Sequence, residues 1–528
     1  MRRTAAAARL QDLAQDLGTK AGPRRPRSLT TPQFFATFDA MSARSFSYTQ
    51  LGAALAAGLA LRLFFIWRFP FYSGDTKFYE ELARNWLDHG VYGLYVRGAL
   101  TAVDMRVPGY PAFLAAIYFA MGQSARVVMG AQAFVDLGTC VMAALIAAQL
   151  APVSRRAIVG TAALWMAALC PFTADYTAVV LTEALATFFT TAAALVFVYL
   201  LTEPALDFPL EAASDLLAQR KVFSFAGWFL LLGIIVGLGT LVRPETPLVL
   251  AAAGVTLCVR WWRHANWTQL ILATCWICVG VLLPLAPWAA RNARAFGRVE
   301  FLGPRYAQTY GDFIPQGYFA WTGTWMTRFG EAYLVTWKLG KQPIGIEALP
   351  RAAFDSGAER ARVAELLARY NRDLKMTPLL DREFAMLAAE RTTREPLRTY
   401  VFVPLERIAA LWLTPRIELL PYSGKLWPVG EQWRGNPADF GVTFGFGILG
   451  LAYLGLAIVG WWRCRAQLAA TFLVLFVAIR TVEMTQLQTV EPRYVIECVP
   501  VIAALGALVW AMPGRQSAAR AATESASK

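Results

Sequence analysis

The sequence predicts an all-α polytopic membrane protein, and three observations support this fold class. Hydrophobic residues make up 57% of the 528-residue chain, whereas charged residues make up only 16%. The apolar residues occur in repeated runs of roughly 17 to 25 residues, the length that an α-helix needs to cross a bilayer core. Arginines gather at alternate ends of these runs. We therefore expect about ten transmembrane helices, together with external interfacial helices and a small external helical cap.

The predicted spans start where successive apolar runs start. They begin near residues 48, 126, 156, 180, 224, 246, 267, 440, 466 and 494. Two further apolar stretches, residues 112–122 and 400–414, are too short or too interrupted to cross a bilayer. We expect both to lie at the membrane interface or to re-enter the membrane.

The net charge of +14 would suggest nucleic-acid binding in a soluble protein. Here, however, the arginines lie before the first span and after the second, sixth and eighth spans. They are Arg2, Arg3, Arg24, Arg25, Arg27, Arg155, Arg156, Arg260, Arg263, Arg463 and Arg465. The positive-inside rule makes these ends cytoplasmic, so residues 68–125, 289–439 and 484–493 are expected outside. We predict a multi-pass protein of the cytoplasmic (inner) membrane, with no nucleic-acid partner.

The predicted organisation has five parts, and the N-terminal part contains no apolar core ending in a cleavage site. The first span is therefore expected to stay as an anchor. The parts are a cytoplasmic tail (1–47), a membrane core (48–288) with its first external loop (68–125), an external cap region (289–439), C-terminal transmembrane helices (440–512) and a cytoplasmic tail (513–528).

Two helices are predicted in the cap region. Asp355 or Ser356 can cap the first, which carries an apolar stripe at helical spacing. Thr377 begins the second, with Pro378 in its first turn. The stripes are Val363, Leu366, Leu367, Tyr370 and Leu374 in the first helix, and Leu380, Phe384 and Leu387 in the second.

Asp75 is the first candidate for chemistry. It follows Gly74 in an expected irregular segment at the outer end of the first span, before an amphipathic stretch that should lie in the interface. A carboxylate there could act as a general base toward a hydroxyl arriving from outside. The alternative is a helix cap for residues 78–87.

Two arginines are candidates for phosphate binding. Arg106 lies in a stiff R-V-P-G-Y-P segment, and a guanidinium group suits phosphate because its donors form a planar fork. Its alternative role is a contact with a lipid headgroup or with Asp104. Arg291, at the external end of the seventh span, is the second candidate, although arginines at span ends often only extend to the interface.

Other charged residues lie at the same side of the membrane. Glu183 is in an otherwise apolar helix, where an ionisable group is costly without a partner, and Arg243 is the candidate partner. Glu491, Arg493 and Tyr494 introduce the final span. If the bundle closes, one outward cavity could collect these groups. Those mapped to external span ends are Asp75, Arg106, Asp175, Glu183, Arg243, Arg291, Glu491 and Arg493.

These motifs resemble the GT-C glycosyltransferases, closest to the branch of protein mannosyltransferases, aminoarabinose transferases and rhizobial galacturonosyltransferases. The resemblance covers most of residues 50–300 and returns near 490. It rests on the acid after the first span, Y-x-E-L-A-R-N-W-L-x-H-G-V-Y, R-V-P-G-Y-P-A-F-L-A, L-T-E-A-L, L-V-R-P-E, P-W-A-A-R-N-A-R-A-F-G and E-P-R-Y.

The resemblance implies transfer of a sugar from a polyprenyl-phosphate donor to an extracytoplasmic acceptor, with inversion at the anomeric carbon. The acceptor would be a lipid, a glycan or a protein, and the site would face the periplasm or exterior. By position, Asp75 would be the general base, Arg106 would contact the donor phosphate, and Arg291 and Arg493 would contact phosphate or sugar.

No cofactor or metal site is assigned. Several relatives carry a second acid directly after the first, but this chain has Thr76 there. Asp104 and Asp175 are the substitutes. A divalent cation is compatible with the chemistry but no residue pattern indicates one, since two histidines cannot form a histidine cluster and Cys275 and Cys278 fit helix packing.

Two other classes of function fit a membrane bundle of this kind. A transporter or flippase of a lipid-linked saccharide would have repeated halves and polar residues near mid-membrane, whereas these charges collect at one face. A non-catalytic scaffold that binds polyprenyl lipid would share the same groove, and an activity assay separates it from an enzyme.

Overall fold

The computed structural model describes residues 47–202, 216–262, 267–303 and 313–511, with the backbone alone for 216–224. The predicted N-terminal tail up to residue 46, Arg263 and the tail 513–528 lie outside the described residues. The α-helices are α1 Tyr48–Arg68, α2 Gly74–His89, α3 Gly109–Met121, α4 Ala125–Leu150, α5 Arg156–Ala168, α6 Pro171–Ala174, α7 Glu183–Thr202, α8 Leu216–Thr240, α9 Leu248–Trp262, α10 Trp267–Phe296, α11 Gln316–Gly323, α12 Phe329–Ala332, α13 Gly357–Asp373, α14 Pro378–Arg394, α15 Val403–Leu413, α16 Val429–Gly435, α17 Pro437–Cys464, α18 Leu468–Met484 and α19 Val499–Ala507.

The structure confirms the all-α polytopic fold class. Within the described residues, six helical segments are long and apolar enough to cross a membrane, or seven if a pair of helices bent by 47° forms one span. The six are Tyr48–Arg68, Ala125–Leu150, Glu183–Thr202, Trp267–Phe296, Pro437–Cys464 and Pro492–Trp510; the bent pair is Val153–Ala168 with Pro171–Ala178. The total of ten spans stays a prediction.

The remaining predicted spans form shorter helices. The apolar part of α8, Phe225–Thr240, and the helix α9 have fewer residues than a straight crossing needs. The helix α18 has 17 residues and ends with Arg480 and Glu483 in its last turns. The stretches expected at the interface are also helical, and α3 has 13 residues and α15 has 11. At 1.5 Å per residue both are shorter than a hydrocarbon core of about 30 Å.

The first external loop contains the β-hairpin of the structure. Strands β1 (Gly93–Val96) and β2 (Ala99–Ala102) pair antiparallel, with Gly93 opposite Ala102. Arg97 and Gly98 form the connecting turn, with φ of 52° and 83°. Positive φ at both turn positions matches the right-handed twist of the strands, which favours this tight hairpin. The hairpin packs beside α2 through Asn85, which donates to Gly93 O at 2.8 Å.

A buried ion pair joins two predicted spans. Arg62 of α1 donates to a carboxylate oxygen of Asp136 in α4 from Nε at 2.8 Å and from Nη2 at 2.5 Å. The same guanidinium donates to the carbonyls of Gly58 and Ala168 at 2.8 Å each. Sequence analysis did not single out this pair, although each residue is a lone charge in an apolar run. Its satisfied hydrogen bonds indicate a structural role for the pair.

The cap helices form as the sequence predicts. Ser356 Oγ accepts from Glu359 N at the start of α13, and Thr377 Oγ1 accepts from Leu380 N at the start of α14. The apolar stripes of both helices are buried in one core with Trp321 and Trp325, except for Leu374, which is only partly buried. Ser356, rather than Asp355, is therefore the cap. Asp355 instead pairs with Arg398 at 2.6 Å.

Candidate functional site

Asp75 lies in the first turn of α2, not in an irregular segment as the sequence suggested. Ser73 is the N-cap, and its hydroxyl oxygen accepts from Asp75 N at 3.3 Å. Thr76 completes a capping box by accepting from Ser73 N at 3.2 Å. The Thr76 hydroxyl also donates to Val180 O at 3.1 Å, which ties the helix to the segment before α7. The helix start is thus capped by Ser73, which leaves the Asp75 carboxylate available for other contacts.

The Asp75 carboxylate lies between two arginines. Oδ1 is 3.3 Å from Arg106 Nη2, and Oδ2 is 3.4 Å from Arg493 Nη2. Burial acts to raise the pKa of Asp75, but Arg493 and Arg106 outweigh it, and the pKa lies below its ordinary value. The side chain keeps 29% of its surface exposed, so solvent and ligands can reach the carboxylate.

The loop before α3 presents Arg106. Tyr92 donates its hydroxyl proton to Arg106 O at 2.8 Å, and Gly109 N donates to Leu241 O at 2.6 Å. A Cβ on Gly109 would lie 2.5 Å from Leu241 O, so glycine is needed for this approach. These bonds fix the backbone on both sides of Arg106.

Arg493 and Arg243 form the centre of a network of carboxylates. Arg493 lies 2.6 Å from Glu491 and 3.7 Å from Glu183. Arg243 lies 3.3 Å from Glu183, as the sequence suggested, and 3.9 Å from Glu245. Nearby, Tyr494 donates its hydroxyl proton to Glu491 at 2.8 Å.

Two residues behind this network were missed by sequence reasoning. Glu497 lies 3.7 Å from Arg243 and 2.5 Å from Arg480, and it accepts from the Thr190 hydroxyl at 2.8 Å. Arg480 and Glu497 are fully buried. Their signal in the sequence was a charged residue inside an apolar run, the same signal that identified Glu183.

A cavity of about 1190 Å³ is lined by Asp75, Arg106 and the network around Arg243 and Arg493. Its floor is defined here as the lining residues from span ends and the first external loop, and its roof as those from residues 313–376. The charged and phenolic floor residues are Asp75, Tyr79, Arg106, Glu183, Arg243, Glu245, Glu483, Glu491, Arg493 and Tyr494. The roof residues are Phe313, Pro315, Phe319, Thr336, Trp337, Leu339, Gly340, Lys341, Leu374, Lys375 and Met376.

Three of the predicted site residues do not line this cavity. Arg291 donates to Tyr92 O at 2.6 Å and to Val103 O at 2.9 Å, so its guanidinium holds the first external loop. Asp104 is fully buried and pairs with Arg298 at 2.9 Å. Asp175 is buried in the segment between α6 and α7. Arg291 thus uses Nη1 and Nη2 to bind backbone carbonyls outside the cavity, and its contact with a sugar donor stays a prediction.

Within the described residues, no group of three or more histidine, cysteine, aspartate or glutamate side chains is arranged to hold a metal ion. The carboxylates of the floor are instead distributed around arginines. Asp104 and Asp175, the expected substitutes for a second acid, lie apart from Asp75's cavity.

Solved structures similar to this chain were found, whereas comparisons of its sequence found no match. No protein-family model and no curated protein matches the chain. A solved structure of the oligosaccharyltransferase AglB from Archaeoglobus fulgidus, in complex with an inhibitory peptide and a dolichol-phosphate, matches 87% of this chain and 49% of that one, at 12% identity and a TM-score of 0.46. The chain thus spans about half the length of that protein.

A second similar structure is ArnT from Cupriavidus metallidurans bound to undecaprenyl phosphate. It matches 87% of this chain and 77% of that one, at 12% identity and a TM-score of 0.35.

Proposed function

We propose that this protein is a GT-C type glycosyltransferase that moves a hexosyl or pentosyl group from a polyprenyl-phosphate donor to an acceptor outside the cytoplasmic membrane. The observation that carries the proposal is the Asp75 carboxylate held between Arg106 and Arg493 in a large cavity. The cavity lies between the ends of apolar helices and residues 313–376, a region that the sequence predicts to face water. A donor with a lipid tail and a polar head needs both environments.

Arg106 and Arg493 bind the donor phosphate in this proposal. Both guanidinium groups line the cavity, and each is held by a carboxylate that a phosphate can replace. Charge-assisted hydrogen bonds from arginine to phosphate are short and strong. They also stabilise the negative charge that grows on the phosphate as the sugar leaves.

Asp75 acts as the general base. It takes the proton of the acceptor hydroxyl while the acceptor oxygen forms a bond to the anomeric carbon. The bond from that carbon to the phosphate oxygen breaks, and polyprenyl phosphate leaves with the electron pair. Attack from the face opposite the leaving group inverts the anomeric carbon. Because the phosphate is a good leaving group, positioning and charge stabilisation are the protein's main contributions.

Donor binding should also make Asp75 a stronger base. In the free protein the two arginines hold the pKa of Asp75 below its ordinary value, which weakens it as a proton acceptor. A bound phosphate pairs with the same arginines, so their positive charges lower the pKa of Asp75 less strongly and the effect of burial becomes larger. The pKa of Asp75 therefore rises when the donor binds, so the base gains strength only when a donor is present.

Replacing Asp75 with asparagine tests the proposal. Asp75→Asn keeps the shape of the side chain but removes the proton acceptor, so transfer should fall by about 100-fold to 10,000-fold. Binding of polyprenyl phosphate should persist, since both arginines remain. The measurement is transfer from a panel of labelled polyprenyl-phosphate sugars, with mass analysis of the products.

The matched control is Asp88→Asn, an exposed acid in the last turn of the same helix. It should transfer at the rate of the unaltered chain. Unchanged turnover in Asp75→Asn would reject the base role. Movement of a labelled lipid-linked sugar across the bilayer without transfer would favour a flippase, and donor binding with neither activity would favour a scaffold.

A further inference from the structure

The roof of the cavity carries two lysines whose ammonium groups make no ion pair with any described carboxylate. Lys341 and Lys375 both line the cavity and are exposed. The arginines of the floor differ, since each pairs with at least one acid. Glu483 is the cavity carboxylate with no ion pair to any described lysine or arginine. The roof thus presents two free positive charges to the interior.

The helix α13 positions both lysines. Lys375 follows Leu374, the left-handed C-cap of this helix with φ of 52°. The turn that carries Lys341 is bonded to the last helical turn, because Gly340 N donates to Tyr370 Oη at 2.8 Å and Ile344 N donates to Asn371 Oδ1 at 2.8 Å. The two lysines therefore come from one rigid unit.

The residue before each lysine has a left-handed backbone, which is ordinary for Gly340 but less common for Leu374. Gly340 has φ of 73°, and the Leu374 backbone is left-handed without being glycine. A left-handed backbone at leucine costs on the order of 1 kcal/mol. The fold keeps this conformation next to a residue that faces the cavity. Strain of this kind is concentrated at ligand sites more often than elsewhere.

The charge of the floor makes these lysines important for an anionic ligand. Five carboxylates of the floor, including Asp75 and Glu483, face three arginines there, which leaves a net charge of −2. Lys341 and Lys375 bring the summed charge of the described lining residues to zero. An anion entering from the water side would be repelled by the floor alone, and the lysines offset that repulsion.

We propose that Lys341 and Lys375 form a subsite for an anionic group, phosphate or carboxylate, on the acceptor. The inference rests on the proposed function, because it assigns the donor phosphate to Arg106 and Arg493. In the proposed function the donor head enters from the ends of the apolar helices, whereas the roof belongs to the region that the sequence predicts to face water. The group that meets the roof therefore belongs to the substrate arriving from outside, and its charge orients the acceptor hydroxyl toward Asp75.

The test uses the full chain in lipid nanodiscs with its floor saturated by a short-chain polyprenyl phosphate. Glucose 6-phosphate, glucuronate and glucose are then titrated as probes and their binding is measured by calorimetry. We expect both anionic probes to bind at least about 10-fold more tightly than glucose at low ionic strength. The Lys341→Ala/Lys375→Ala variant should lose this preference.

Matched variants keep the test specific. Lys338→Ala alters the same turn but not a cavity residue, and it should keep the preference. The Lys341→Arg/Lys375→Arg variant should keep it too, and Lys341→Gln/Lys375→Gln should lose it if the alanine variant is unstable. A preference that survives loss of both lysines overturns the inference. Weaker polyprenyl-phosphate binding in the alanine or glutamine variant also overturns the inference, because the lysines would then bind the donor.

The two proposals fail in different ways. A chain that does not bind polyprenyl phosphate counts against the glycosyltransferase, whatever the sugar probes do. A chain that binds polyprenyl phosphate but shows no preference for anionic sugars counts against the lysine subsite alone.

Discussion

Asp75, Arg106 and Arg493 show how proximity changes the acidity of an ordinary carboxylate. None of them is unusual in the sequence, and the acid lies 418 residues before Arg493. Burial raises the pKa of such a carboxylate, but the two guanidinium groups lower it by more and keep the carboxylate ionised. If Asp75 is the proposed base, its strength depends on what else binds Arg106 and Arg493.

The pH dependence of transfer should show whether donor binding changes the pKa of Asp75. A lowered pKa means that Asp75 stays ionised at neutral pH and accepts a proton from solvent only as the pH falls through that low value. The acid limb of kcat/KM, which reflects the free protein, should therefore lie at lower pH than the acid limb of kcat, which reflects the donor complex. The check is a pair of pH profiles. Superimposed acid limbs would argue against the coupling.

Replacing Arg106 should shift the acid limb of the kcat/KM profile. Arg106→Gln removes one of the groups that lower the pKa of Asp75, so burial raises it, and the acid limb of kcat/KM should shift to higher pH. Donor binding should weaken as well, because a phosphate contact is lost. Arg97→Gln, at the tip of the hairpin and outside the cavity, is the control and should change neither quantity. An unshifted limb would exclude Arg106 as the group that tunes Asp75.

Among the elements, α2 carries Asp75 directly after its N-cap. Ser73 fixes the first turn that carries Asp75, and its hydroxyl satisfies a backbone donor that would otherwise be unpaired. The element therefore couples local stability to the geometry of the carboxylate.

Ser73→Ala should lower the free energy of unfolding by about 1 kcal/mol. Transfer should also fall, because the Asp75 carboxylate loses its fixed position between the two arginines. Ser124→Ala is the matched control, since Ser124 occupies the N-cap of α4 without a capping hydrogen bond. Thermal unfolding in detergent and a transfer assay check both effects. Equal effects of the two substitutions would contradict the role of the cap.

The helices α8 and α10 pack with their backbones in close approach. A Cβ on Gly280 would lie 2.4 Å from Leu230 O, and a Cβ on Gly233 would lie 2.3 Å from Ile277 O. Small residues allow transmembrane helices to pack closely, so these glycines set the distance between the two helices.

Gly280→Ala should therefore destabilise the protein by about 1 to 3 kcal/mol through overpacking. Gly254→Ala, in the neighbouring helix α9, meets no atom within 4 Å and should be neutral or slightly stabilising. The melting temperature of the detergent-solubilised protein distinguishes them. A Gly280→Ala variant as stable as the unaltered chain would show that the helices can move apart.

For the whole molecule, the distribution of arginines predicts that the cavity and cap region face the exterior. Arg382→Cys places a thiol on an exposed position of α14, and Ala466→Cys places one between α17 and α18. A membrane-impermeant maleimide added to intact cells should label the first and not the second. The unaltered chain gives the background from the seven native cysteines. Labelling only at position 466 would show that the orientation is the reverse of the predicted one.

The sequence predicted the fold class and much of the cavity because apolar run length and isolated charges are local signals. Asp75, Arg106, Glu183, Arg243 and Arg493 all line one cavity. The helix caps in the external region followed from Ser356 and Thr377, where capping depends on neighbouring residues only.

Other features depended on contacts distant in sequence. Arg291 carries the same signal as Arg106, but its position beside the hairpin directs it to backbone carbonyls. The lysines of the roof are ordinary surface residues in sequence, and only the fold of α13 brings them to the cavity. The start of α2 was misjudged because the capping role went to Ser73.

The pairing of Asp75 with Arg493 has a consequence for biosynthesis. Asp75 and Arg106 leave the ribosome long before Arg493 is synthesised, so the carboxylate at first has only one of its two arginine partners. The growing chain therefore holds an incomplete set of these charges until residue 493 has been made. Insertion of the last helical segment supplies Arg493 and, through Glu497, the contact that holds Arg243.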